Sequence, residues 1–135
     1  PKDPKKRRNI GGVYPANYGL NIATGDWIAP MDDDDEFTKD HVETLLNFAK
    51  KNRYEMVYGK TRRKKNGKWI DIGSYPLRRG QITRISALYN SNLKFFKNSM
   101  NAWRMYEPFD YYLWKEMVDA GVKIGFLDRV VAYYY

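Results

Sequence analysis

The feature that most constrains this chain is a short apolar run, Trp27, Ile28, Ala29, Pro30 and Met31, that ends in four consecutive aspartates, Asp32, Asp33, Asp34 and Asp35. Five such residues are too few for a helix, so residues 27–31 are expected to form a buried strand with the aspartates in the loop that follows. Carboxylates placed side by side repel, and the run is costly unless something positive sits beside it. Mg²⁺ and Mn²⁺ are hard cations that take carboxylate oxygens together with substrate phosphates. Open α/β sheets bind ligands at the carboxyl ends of their strands, which is where the run begins. The residues alone therefore point to a divalent-metal site; the plain alternative is a polar loop leading into the next helix.

The rest of the chain reads as mixed α and β. Val13, Ala16, Leu20 and Ala23 recur at helical spacing over residues 13–24, and Gly25 stops that helix. Thr38 is expected to cap a second helix, with Asp40 in its first turn, an apolar face of Val42, Leu45, Leu46 and Ala49, and an end near Asn52. Residues 55–64 and 68–72 read as strands joined at Asn66 and Gly67, a strong hairpin signal. Residues 73–84 form a loop, and residues 85–96 fit strand or helix equally well. Pro108 suits the first turn of another helix, on which Phe109, Leu113, Glu116 and Met117 share a face before Gly121 ends it. Residues 122–126 and 130–135 read as short strands. The class is α/β or α+β.

Composition narrows the partners. The 135 residues are 43% hydrophobic and 16% aromatic, enough to bury a core. There is no cysteine, which removes disulfides and thiolate metal sites. No apolar run approaches the ~20 residues of a membrane span. The net charge is +8, with five cations against Asp3 in residues 1–8 and a dense block at Lys60, Arg62, Arg63, Lys64 and Lys65. Residues 1–8 read as a basic extended lead-in. A basic surface favours anionic partners (phosphates, acidic glycans, nucleic acid or the anionic face of a membrane), although a solvated face explains each block equally well. His41, the one histidine, is expected on the exposed side of its helix and without a second His or Cys makes no zinc site. Arg78, Arg79 and Arg84 lie in a loop within reach of acidic acceptors or phosphates, with surface charge as the simpler reading.

Asn17, Tyr18, Gly19 and Leu20, then Ala23, Thr24, Gly25, Asp26, Trp27 and Ile28, then Met31 and the aspartates follow the pattern of family-2 glycosyltransferases of the GT-A fold. Phe109, Asp110, Tyr111, Tyr112, Leu113, Trp114 and Lys115 are similar to the family's Glu-Asp-x-x-Leu-Trp-x-Arg segment, and residues 120–134 also follow it. The resemblance thus covers nearly the whole chain after Asn9. It implies the C-terminal portion of a GT-A fold, a mixed sheet flanked by helices, over residues 9–135. It departs from the family at Ala16, where Arg is common, and at Phe109, where Glu is common. The family's first half, with the strands that hold the nucleotide base, is expected ahead of this segment.

The resemblance also implies roles. Asp32 and Asp34 become the Asp-x-Asp pair, the first contacting the donor ribose and the last the metal; Asp33 and Asp35 belong to the register shifted by one. Asn17 falls in the donor-binding motif. Asp110 becomes the general base that takes the acceptor proton. A helix start among aromatics suits that role, since burial raises a carboxyl pKa, though it suits a capping aspartate as well. Trp103 and Tyr106 are placed to stack on an acceptor sugar or simply to pack. The implied activity is metal-dependent inverting transfer, in polysaccharide biosynthesis, from a nucleotide-sugar (UDP-sugar first) to a saccharide or lipid-linked acceptor. The implied location is the cytoplasm, with peripheral membrane contact at its cytoplasmic face. The competing readings are a basic nucleic-acid-binding module without catalysis, which the acidic run disfavours, and a glycoside hydrolase, whose paired carboxylates need no metal.

Overall fold

In a computed structural model, residues 2–8, 10–105 and 108–135 are described, Trp103 and Met105 by backbone alone. The expected hairpin is present. Strands β3 (Met56–Lys65) and β4 (Lys68–Ile72) pair antiparallel from Thr61 opposite Ile72 to Lys65 opposite Lys68. Asn66 and Gly67 turn the chain at φ 52° and 76°, the left-handed pair that suits a two-residue hairpin. The first half of β3 is central: it pairs antiparallel with β5 (Ala87–Asn90) on one side and parallel with β6 (Ile124–Tyr134) on the other. The edges are β1 (Trp27–Ile28), beside β5, and β2 (Glu36–Phe37), beside β6. The strand order is therefore β1-β5-β3-β6-β2, with β4 on the outer half of β3. β1, β3 and β6 run the same way, so the four aspartates, which connect the two edges, cross the carboxyl end of the parallel strands.

Period-two alternation along β3 divides the core into two layers. Met56 and Tyr58 face one side, where they pack with Tyr89, with Leu20 of α2 (Val13–Ile22) and with Leu113, Trp114 and Met117 of α4 (Phe109–Asp119). Val57 faces the other, with Leu88, Val131, and Leu45 and Ala49 of α3 (His41–Asn52). Among the described residues, no helix is long and apolar enough to cross a membrane.

Five expectations are corrected. Residues 4–8 are not extended: Pro4–Arg8 forms one short helix, α1, because the Asp3 carboxylate accepts from the Lys5 amide at 2.8 Å and the Asp3 carbonyl from the Arg7 amide at 3.0 Å. The strand over 27–31 shrinks to Trp27–Ile28, since Pro30 has no amide for a ladder. Residues 122–126 and 130–135 are parts of one strand, β6, whose pairing with β3 is irregular between Phe126 and Val130; there Asp128 turns out to meet Lys60 at 2.5 Å. Thr38 does not cap α3. Its amide and hydroxyl both donate to the Val131 carbonyl at 3.0 Å, which ties β2 to β6, and Asp40 takes the cap position.

The fifth correction is His41, which is 1% exposed rather than on the surface. Its ring stacks on Phe37 at 3.7 Å and 6°, and Nδ1 lies 2.6 Å from the same Val131 carbonyl. Tertiary packing overrides the helical pattern here: Val42, one position on, is exposed instead. Burial holds the His41 pKa below its ordinary 6.5, against the opposing pull of the Val131 carbonyl and Asp40. The folded state therefore resists protonation that the unfolded state accepts. This contribution to stability is complete above pH 6.5 and is lost as pH falls below it. The stability advantage of the native protein over His41→Gln is expected to shrink between about pH 8 and about pH 5 in urea unfolding; a flat difference would rule out a buried neutral imidazole.

Candidate active site

The site lies at the carboxyl end of β1, β3 and β6, where the aspartates cross from one sheet edge to the other. Asp32 and Asp35 face it, while Asp33 and Asp34 are exposed. Asp35 is the buried member. Its Oδ1 has no hydrogen-bond partner among the described residues. Burial, then the charges of Asp34, Asp32 and Asp33, push its pKa up to about 6, although a backbone hydrogen bond from Tyr135 counteracts them.

Arg84 answers part of that charge. Its Nη1 donates to Asp32 Oδ1 at 2.5 Å, and its side chain is 21% exposed. Of the two readings of this loop arginine, contact with anions or plain surface charge, the second is corrected: Arg84 folds inward at the start of a 3₁₀ turn (Arg84–Ser86) that Thr83 and Ser86 cap reciprocally. Its neighbours Ile82 and Ile85, both buried, were the available signal. Arg84 also acts on Asp110. Burial raises the Asp110 pKa above the usual carboxylate range; the Tyr111 amide (2.9 Å from Oδ1) and the Arg84 charge pull it down, and Asp32 pushes it up. Asp110 lies in the first turn of α4 with no cap bond from Pro108.

Two cavities share this centre. One, of about 420 Å³, is lined by Asp32, Asp35, Arg84 and Asp110 together with Arg63 and Arg79. The other, of about 330 Å³, runs between α2, β1 and α4 and also reaches Arg84 and Asp110. Trp114 Nε1 and Asn98 Oδ1, buried and without partners among the described residues, belong to residues on its wall.

The remaining expected site residues fall differently. Asn17 lines neither cavity, and its carboxamide is engaged by Asn98, a wall residue of the second: Nδ2 donates to the Asn98 carbonyl at 2.9 Å, and Oδ1 accepts from Asn98 N and Nδ2. Tyr106 lies outside the described residues, as does the side chain of Trp103. Among the described residues, no three His, Cys, Asp or Glu side chains converge on one point.

Sequence comparison agrees with this geometry: the profile of glycosyl transferase family 2 matches residues 5–111, from α1 to the first turn of α4. The chain belongs to glycosyl transferase family 2. No curated protein sequence matches this family-2 chain significantly. Among solved structures it is similar to the crystal structure of S. aureus TarS 1-349, with a TM-score of 0.67 at 15% identity. The similarity covers 93% of this chain and 40% of that one, so the family-2 chain spans less than half the length of that neighbour. The expected mixed sheet flanked by helices is the part of the GT-A fold the two share.

Proposed function

We propose that this chain forms the metal-and-base portion of an enzyme that transfers a sugar, with inversion, from a nucleotide-sugar such as a UDP-sugar to an acceptor hydroxyl. The observation that carries the reading is the convergence of Asp32, Arg84 and Asp110 on a shared cavity, with Asp110 half-buried.

The donor set suits a hard cation. Asp34 is exposed, and Asp35 presents an oxygen with no partner among the described residues. With no third carboxylate converging there among the described residues, the remaining ligands would be diphosphate oxygens and water, the usual arrangement for Mg²⁺. Mg²⁺ or Mn²⁺ held by Asp34 and Asp35 would neutralise the departing diphosphate. Asp32 and Asp33 supply acceptors for the donor ribose, and Arg84 keeps Asp32 in place.

Asp110 then takes the proton from the acceptor hydroxyl. The oxygen attacks the anomeric carbon from the face opposite the diphosphate, the bond to the diphosphate oxygen breaks, and the nucleoside diphosphate leaves. Burial favours this base by raising its proton affinity. Nucleotide-sugar and a saccharide or lipid-linked acceptor are the partners of this reading, with the cytoplasmic face of a membrane as the place of work.

Asp34→Ala is expected to weaken Mn²⁺-dependent binding of a nucleoside diphosphate about tenfold or more by calorimetry, without changing the unfolding midpoint. Unchanged binding would remove the metal assignment.

A further inference from the structure

The two faces of the β3–β4 hairpin differ in charge. Residues directly opposite in the ladder share a face, and alternate residues along each strand do too. One face carries Arg62, Lys64, Trp69 and Asp71. It is internally satisfied: Arg62 pairs with Asp71 at 2.9 Å, and Lys64 lies over Trp69, 5.9 Å from the ring centroid. The other face carries Arg63, Lys65, Lys68, Ile70 and no acid. Lys65 stands directly opposite Lys68, a like-charge pair that disfavours the ladder unless an anion joins it.

That second face is continuous with the larger cavity. Arg63 and Ile72 line it, and Arg63 sits over the ring of Tyr134, another wall residue, at 5.4 Å from the centroid. Thr61, one step inward on the same face, meets Thr83 of the opposite wall at 2.5 Å. The track therefore leaves the carboxylate centre at Arg63 and reaches Lys65 roughly 7 Å further out. It is polarised, with acids at the inner end and cations at the outer end. A ligand that fits presents a hydroxyl beside Asp110 and an anionic body along the hairpin.

The geometry points to this face, Arg63 with Lys65 and Lys68, as a binding track for a polyanionic saccharide acceptor that carries carboxylate or phosphate groups. The word acceptor rests on the transferase reading above; the binding does not. An anionic bilayer is the poorer occupant, because this face runs into a cavity at Arg63 and Trp69, the exposed aromatic of the hairpin, lies on the other face. A single-stranded nucleic acid also needs aromatic platforms for its bases, and Trp69 lies on the other face.

The test is binding of oligogalacturonate and of phosphorylated dextran to the chain, without metal or nucleotide, across a salt series. Neutral dextran, phosphatidylglycerol vesicles and a single-stranded oligonucleotide serve as comparisons. One or both polyanionic saccharides are expected to bind, and the one that binds identifies the anionic group. R63A/K65A/K68A is expected to weaken that binding about tenfold. K50A/K51A/K64A, which removes the same charge elsewhere, is expected to change it less than about twofold. K65E/K68E, confined to the exposed tip, gives the same loss without touching the Tyr134 contact. Circular dichroism checks that each variant keeps its fold. Equal losses in the two triple variants, no binding of either polyanionic saccharide, or hairpin-dependent binding confined to vesicles or oligonucleotide would overturn the proposal. Because metal and nucleotide are absent, failure here is separate from failure of Asp34→Ala to affect nucleotide binding.

Discussion

Asp110→Asn is expected to lower sugar transfer by about 10²–10⁴-fold while leaving donor binding within about twofold. The substitution is nearly isosteric. An Asn Oδ1 can still accept from the Tyr111 amide, so the first turn of α4 keeps its hydrogen bond. What disappears is the proton-accepting charge in a site where burial raises proton affinity and Arg84 and Asp32 pull in opposite directions. The measurement is steady-state transfer from a UDP-sugar, with kcat and KM resolved. A loss in kcat alone fits a base that acts in the transition state. A loss in KM alone, or full activity, would return Asp110 to the role of a helix-start aspartate.

Trp114→Ala is expected to lower the unfolding free energy by ~3–5 kcal/mol, read from the urea midpoint. For a domain whose total stability is typically ~5–15 kcal/mol, that approaches loss of the fold. Trp114 is 1% exposed and meets Tyr89 edge-on, with centroids 5.8 Å apart and planes at 73°. It joins α4 to the layer formed by Met56, Tyr58 and Tyr89. No hydrogen bond offsets the loss, because Nε1 has no partner among the described residues. Trp114→Phe keeps most of the apolar area and is expected to cost less than half as much. A loss under ~1 kcal/mol for the alanine variant would mean that α4 is not anchored through this ring. The same helix carries Asp110 one turn earlier, so the alanine variant is also expected to lose activity through displacement rather than chemistry.

Helices and turns were legible where apolar spacing or a turn dipeptide marks them. The spacing of Val13, Ala16 and Leu20 marks α2, and Asn66 with Gly67 marks the hairpin; both are found. The family was also legible, because motif order survives in the linear chain. Helix α1 shows the limit of local reading: five basic positions looked extended, yet a single carboxylate, Asp3, caps a turn there.

Other features depended on residues far apart in the chain. Arg84 lies 52 positions from Asp32, and the Val131 carbonyl 90 positions from His41. In a linear reading Arg84 is one of three loop arginines and His41 a lone polar residue on a helix. Ladder pairing fixes both: β1 and β5 bring residue 32 toward residue 84, and β2 paired with β6 carries His41 under Val131. By itself the run from Asp32 to Asp35 declared that a cation belonged nearby, since adjacent carboxylates repel. Only the tertiary structure decided that an arginine pairs with the first aspartate and that burial falls on the last. Repulsion is a property of neighbours in the chain, whereas desolvation and pairing are properties of neighbours in space.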